Sequence, residues 1–152
     1  MMNASDGNSP VDCAFCDIAC GRSQTADVVC ESEDWIAFFP VAPATPGHTL
    51  VISRRHIVDL WKAEPSLGGK LMVAAIRVGQ AIEQALNPEG MNLITSAGQT
   101  AEQNVFHLHL HILPRWHRDG FGRIWPVEGK FDDANMGDIA SGIREACARI
   151  VE

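Results

Sequence analysis

Residues 103–115 read Gln-Asn-Val-Phe-His-Leu-His-Leu-His-Ile-Leu-Pro-Arg, so that His107, His109 and His111 alternate with apolar residues. A period of two is the signature of a β-strand, whose successive side chains point to opposite faces. The alternation therefore predicts three imidazoles on one face of a buried strand, with Phe106, Leu108, Leu110 and Ile112 filling the other. Half of the chain's six histidines stand in this row. Whatever else the chain forms must cover the apolar face and leave the basic one reachable.

The flanking sequence supplies the means. Residues 28–30 and 35–39 are rich in β-branched, aromatic and apolar side chains, and the acidic stretch 31–34 between them predicts a hairpin turn. Pro40, Pro43, Pro46 and Gly47 then interrupt regular structure before a further strand over 48–53. From Ser66, apolar residues recur at helical spacing (Leu67, Leu71, Ala75, Val78, Ile82, Leu86) and stop before Pro88 and Gly90. Gly68, Gly69 and Gly79 weaken that helix, which predicts that it depends on packing against a sheet. Another strand is expected over 91–95. A C-terminal helix is expected through Ile139, Ile143, Cys147 and Ile150, with Asp132 or Asp133 as its N-cap. Strands, one long helix and more strands predict an α+β fold, an antiparallel sheet with helices packed on it.

The 152 residues, 46% of them hydrophobic, suffice for one core. A single domain is expected over 13–152, preceded by a flexible Asn/Ser/Asp/Gly-rich tail over 1–12. A formal net charge of −7 argues against sequence-independent binding to nucleic acid polymers or anionic membranes. It leaves room for a phosphorylated small molecule at a local site. Five cysteines form no even disulfide framework, no apolar run could span a bilayer and no leader pattern opens the chain, so a reducing, cytoplasmic setting is expected.

Same-face neighbours on a strand lie roughly 6.5–7 Å apart, so the three rings can serve adjacent but separate jobs. Neutral imidazole is a nucleophile and general base near neutral pH, and its attack on phosphorus gives a labile phosphoramidate. A neighbouring histidine can hydrogen-bond to the phosphoryl or leaving group, while Ser96, Gln103 and Asn104 can orient oxygens or water. His48 and His117 read as ordinary loop histidines. Cys13-Ala-Phe-Cys16 offers two thiolates at a zinc-binding spacing, but two ligands are missing. A redox pair and two buried thiols remain alternative readings.

Taken together, Cys13-Ala-Phe-Cys-Asp-Ile18, the segment 35–38 leading to 46–52, Arg55-His-Ile57 and residues 103–115 resemble the histidine triad (HIT) family of nucleotide hydrolases and transferases. The resemblance covers roughly residues 13–125. It implies that His109 is the nucleophile for the α-phosphate, that His111 contacts the phosphate or leaving-group side, and that Ser96, Gln103 and Asn104 surround the phosphates. Phe15, Ile18, Phe38 and Val41 would line the base and ribose pocket. Zinc-bearing members complete the Cys-x-x-Cys pair in a way that selects Cys13, Cys16, His56 and His107 here, a closed structural site. A homodimer is implied by the same analogy. Expected substrates are dinucleoside polyphosphates or nucleoside phosphoramidates; the alternative is a zinc-stabilised nucleotide-binding or interaction module with vestigial catalysis. Three positions depart from the common pattern: Pro40 where an acidic or amide side chain often meets the ribose, Ser96 in place of asparagine, and Glu102 in place of glycine.

Overall fold

The computed structural model describes residues 12–125 and 136–151. Of the expected tail over 1–12, residues 1–11 lie outside these, as do the expected caps Asp132 and Asp133. The described residues fall into two compact units that divide between Phe121 and Gly122. The second contains one helix, numbered α3 below.

The first unit is built on a five-stranded antiparallel sheet: β1 (Val28–Glu31), β2 (Trp35–Phe38), β3 (Thr49–Ser53), β4 (Gly90–Ile94) and β5 (His109–Arg115), in the spatial order β1-β2-β3-β5-β4. The fold is α+β, as expected. β2 and β3 are buried along their whole length, because each of their faces meets a separate apolar cluster. On one face Trp35, Ala37, Val51, Leu108, Leu110 and Ile112 pack against Leu67, Leu71, Ala74, Ala75, Val78 and Ile82 of α2 (Pro65–Leu86). On the other, Ile36, Phe38, Leu50 and Ile52 are covered by Phe15, Ile18 and Ala19 of the short helix α1 (Ala14–Ala19). Helix α2 begins with Pro65 in its first turn, where the missing N–H is harmless, and ends at Asn87 in the left-handed region at φ 45°.

Two details differ from the strand reading of the histidine row. β5 begins at His109, and His107 sits in a bend whose N–H donates to Val105 O over 2.8 Å. Leu108 N–H bonds to Ile57 O while its carbonyl still accepts from Ser53 N–H over 3.4 Å, so the regular ladder ends at His109 and the bend lies just before it. Phe106 is only half-buried and stands outside the apolar cluster that takes Leu108, Leu110 and Ile112. In the second unit, α3 (Met136–Val151) carries the expected stripe of Ile139, Ile143, Cys147 and Ile150.

Arg54 ties the edge hairpin to α1: its guanidinium donates to Ser32 O, to Ala19 O and to the Glu31 carboxylate. The deepest anchor of the helical layer is Leu71, fully buried at the middle of the α2 seam. Leu71→Ala is expected to lower stability by about 2–5 kcal/mol, through lost transfer energy and a cavity between helix and sheet. Urea unfolding checks this as a lower midpoint at unchanged slope.

Candidate active site

The register between β3 and β5 sets Leu50 opposite His111 and Ile52 opposite His109. His109 and His111 thus share a face with Leu50 and Ile52, the face covered by α1 and opposite α2. Their rings stand 4.8 Å apart between centroids and 72° between planes. Phe15 of α1 packs edge-on against the rings of His107, His109 and Phe38, with centroids 5.9, 5.3 and 5.7 Å away. One aromatic side chain therefore walls both the histidine row and the apolar surface beside it.

Hydrogen bonding fixes the protons on these rings. A carbonyl oxygen only accepts, so the 2.6 Å contact between His109 Nδ1 and His107 O places the His109 proton on Nδ1 and leaves a lone pair on Nε2. Ala44 N–H donates to His48 Nδ1 over 3.1 Å, so neutral His48 carries its proton on Nε2. That proton is donated to His111 Nδ1, 2.9 Å away, which puts the His111 proton on Nε2. The two adjacent rings consequently differ: one presents a base, the other a donor. Burial favours the neutral form of each. It lowers the His111 pKa to about 4, with His109 and His48 contributing repulsion. It also lowers His109, against the opposing pull of the bond to His107 O, and it lowers His48.

His107 faces a second cluster. Its Nε2–H donates to Ser53 O over 2.7 Å, leaving the Nδ1 lone pair directed at Cys13 Sγ and Cys16 Sγ, 3.4 and 3.5 Å away. His56 Nδ1 lies 3.3 Å from Cys16 Sγ, and the four ligand atoms all fall within 4.8 Å of one another. A tetrahedral zinc with Zn–S near 2.3 Å and Zn–N near 2.0 Å has S···N edges of roughly 3.5 Å, so the donor set fits that ion. Burial and the neighbouring Cys13 thiol push the Cys16 pKa up to about 11, and a bound cation would favour its thiolate. Burial also holds His107 neutral, with a pKa near 4, in the state a metal ligand requires.

The remaining expected site residues separate into two groups. Phe15, Ile18, Phe38 and Val41 line one cavity of about 270 Å³ together with Leu50 and Pro40. Val41 is its exposed lip, at 98%. Ser96 is half-buried in the loop after β4, next to Thr95, whose hydroxyl donates to His109 O over 2.9 Å. Asn104 is exposed. Gln103, only 2% exposed, has its amide committed to the loops: Nε2 donates to Val58 O and Val105 O, and Oε1 accepts from Gly98 N. Both of its amide hydrogens are spent on the backbone, so it shapes the bend before His107 from behind. Glu102, beside it, is an exposed non-glycine residue in the left-handed region at φ 65°.

His117 is exposed, and its N–H donates to Glu89. His48, read from the sequence as an ordinary loop histidine, is instead the partner that sets the His111 tautomer. Its parity was the available signal, since His48, Leu50 and Ile52 are alternate residues. Linking that parity to the histidine row required the β3–β5 register, between strands far apart in sequence.

The sequence pattern of the HIT domain matches residues 22–118. Protein hit of Bacillus subtilis is 34% identical over 139 residues, spanning 90% of this chain and 95% of that protein. Adenylylsulfatase HINT3 of Arabidopsis thaliana is 32% identical over 108 residues, 71% of this chain and 54% of that one. Among solved structures, a HIT family protein from Bacillus anthracis superposes with a TM-score of 0.80 at 35% identity, covering 89% of this chain and 96% of its own. A zinc-bound histidine triad family protein from Mycobacterium smegmatis superposes with a TM-score of 0.70 at 31% identity, covering 79% and 86%. With its histidine row on the sheet, its matched domain and these relatives, the chain belongs to the histidine triad family.

Proposed function

We propose that the cleft transfers a nucleotidyl group by way of His109, and that its substrates are nucleotide conjugates cleaved at the α-phosphate, such as nucleoside phosphoramidates or dinucleoside polyphosphates. The observation that carries this reading is the pair of unlike tautomers: an open Nε2 lone pair on His109 beside an Nε2–H donor on His111. In the first step His109 Nε2 attacks the α-phosphorus, an N–P bond forms, and the bond to the leaving group breaks. His111 Nε2–H stands beside this centre to hydrogen-bond the phosphoryl oxygens or the departing atom, which leaves with its electron pair and takes up a proton. The substituted imidazole is cationic. Its retained Nδ1–H then makes a charge-assisted bond to His107 O, so the contact that orients the nucleophile also stabilises the intermediate. Water attacks the same phosphorus in the second step, the N–P bond breaks with its electron pair returning to His109 Nε2, the water's proton passes to solvent, and a nucleoside monophosphate is released. Gln103 and His48 act as positioning residues, while Ser96 and Asn104 border the phosphate side. Kinship with an adenylylsulfatase supports a reaction at this class of phosphorus centre.

Cys13, Cys16, His56 and His107 would hold a zinc ion. Its four protein donors would form a closed set, so the ion would supply cross-linking rather than an activated water. A homodimer fits the outer surface of the sheet unit. Ile76 of α2 joins Met91 and Leu93 of β4 along one groove, with Met72 and Val73 exposed on the same helix and β4 an edge strand.

Four outcomes test these assignments. Rapid quenching with adenosine 5′-phosphoramidate radiolabelled at phosphorus is expected to trap label on His109. His109→Ala is expected to lose both the label and turnover by on the order of 10³-fold or more. Because burial lowers the His109 pKa, the nucleophile stays unprotonated as pH falls through the ordinary histidine range. The acid limb of kcat/KM is therefore expected below about 6.5, and a limb at or above that value would contradict the buried neutral base. Metal analysis is expected to find one zinc per chain. Cys13→Ser should lose it along with at least about 2 kcal/mol of stability, a fall of roughly 4–8 °C in melting temperature for a chain of this size. Ile76→Glu is expected to halve the mass measured by light scattering, whereas a monomeric parent protein would remove the dimer assignment.

A further inference from the structure

Helix α2 lies over the middle of the sheet and leaves a groove along each flank. Toward β4 is the groove of Ile76, Met91 and Leu93; toward β1 is a cavity of about 460 Å³, on the sheet face opposite the histidine row. Arg77, Ala81 and Ala85, at steps of four, lead along its helical wall to Leu86. In the opposite wall the register of β1 on β2 shifts between Val28 and Cys30, a bulge at Val29 that bends the edge strand. Val29, Phe39 and Leu86 all line the cavity and stay 40–47% exposed.

Two contacts give the cavity a direction. Lys70 Nζ pairs with Asp34 at 2.7 Å, which ties the first half of α2 to the β1–β2 turn. A Cβ on Gly47 would come within 2.4 Å of Leu86 Cδ1, so the last turn of α2 lies against the loop entering β3. Donors collect toward the first end. Arg77 makes no hydrogen bond or ion pair among the described residues. Ser32 Oγ accepts from Asp34 N–H over 3.2 Å and keeps its own hydrogen to give. Trp35 is only 8% exposed, yet its indole N–H has no acceptor among the described residues. Glu31 does not neutralise this end: it is opposite Ile36, on the other face, where its carboxylate is bound by Arg54.

We infer that this cavity binds a medium-chain aliphatic monocarboxylate, its carboxylate on Arg77, Ser32 and Trp35 and its chain running past Ala81 and Ala85 to Leu86. The chain removes apolar lining from water, and the carboxylate gives the three open donors their acceptor. At about 1.5 Å per residue, Arg77 and Leu86 stand about 13 Å apart along the helix, roughly the reach of an eight- to ten-carbon acid. The far end of the chain meets Gly47 and Thr49, the residues on either side of His48, so an occupant touches from behind the segment that carries an active-site ring.

Calorimetric titration of the full chain with decanoate and with decylammonium, equal in length and opposite in charge, provides the test. Decanoate is expected to saturate at one per chain and to bind at least about tenfold more tightly than decylammonium. That order runs against the net charge of −7, which by itself favours the cation. Arg77→Gln is expected to weaken decanoate by about tenfold without weakening decylammonium, and Ala81→Leu, at an exposed helical position, to fill the cavity and abolish decanoate binding. The indole proton of Trp35, assigned in ¹H–¹⁵N spectra with Trp35→Phe, is expected to move downfield as decanoate is added. Equal binding of the two ions, unchanged decanoate affinity in variants that keep the parent's melting temperature, or no heat and no indole shift would overturn the site. If a variant fails to fold, the ratio of the two ions and the indole shift in the parent protein decide. Flotation with anionic phospholipid vesicles without binding of free decanoate would assign the cavity to a membrane surface. A lower light-scattering mass for Ala81→Leu in a chain that ignores decanoate would assign it to a second copy, and either result overturns the proposal.

Discussion

The site hangs on one residue used at both ends. The His107 ring donates to the last carbonyl of β3, at Ser53, and turns its other nitrogen to Cys13 and Cys16, while its own carbonyl receives the His109 ring proton. The cluster of Cys13, Cys16, His56 and His107 and the open base are thereby joined through a single peptide unit. A rotation of His107 about its backbone would move both at once. The bend that removes His107 from the regular ladder makes this double use feasible, because a residue within a strand spends its carbonyl on the neighbouring strand.

Holding so many imidazoles inside an apolar sheet carries a desolvation cost, which the fold meets by giving each of these rings at least one partnered nitrogen. His48 and His111 bond to each other, His109 and His107 bond to carbonyls, and His56 Nε2 is the one buried ring nitrogen without a partner among the described residues. Burial then keeps the rings neutral, which is what both metal ligation and nucleophilic attack require. The apolar clusters above and below β2 and β3 supply the rigidity that these short hydrogen bonds need.

Much of this was legible in the sequence, for identifiable reasons. The period-two alternation around His109 and the three-to-four spacing of α2 each reflect a face that must be buried, so pattern and structure agree to within a residue or two. The four-ligand cluster was named through family resemblance, since nothing in the spacing of Cys13 and Cys16 points to residues 40 and 91 positions away from Cys16. The tautomer-setting role of His48 and the inward commitment of Gln103 could not be read. Both depend on hydrogen bonds between segments whose relative placement comes only from the folded register. The bend at His107 was equally hidden, because alternation describes side-chain parity and does not say where a ladder begins.

The two faces of β5 carry incompatible surroundings, ionisable rings on one side and the α2 seam on the other. A change of length within 107–111 would therefore exchange them wholesale: one inserted residue would drive histidines into the helical seam and turn leucines toward the cleft. Substitution at a single position disturbs one contact, whereas a frame shift of one residue disturbs all of them together. This strand can therefore accept only exchanges that keep the count, and the connections between strands are where an added or removed residue would leave both faces in place.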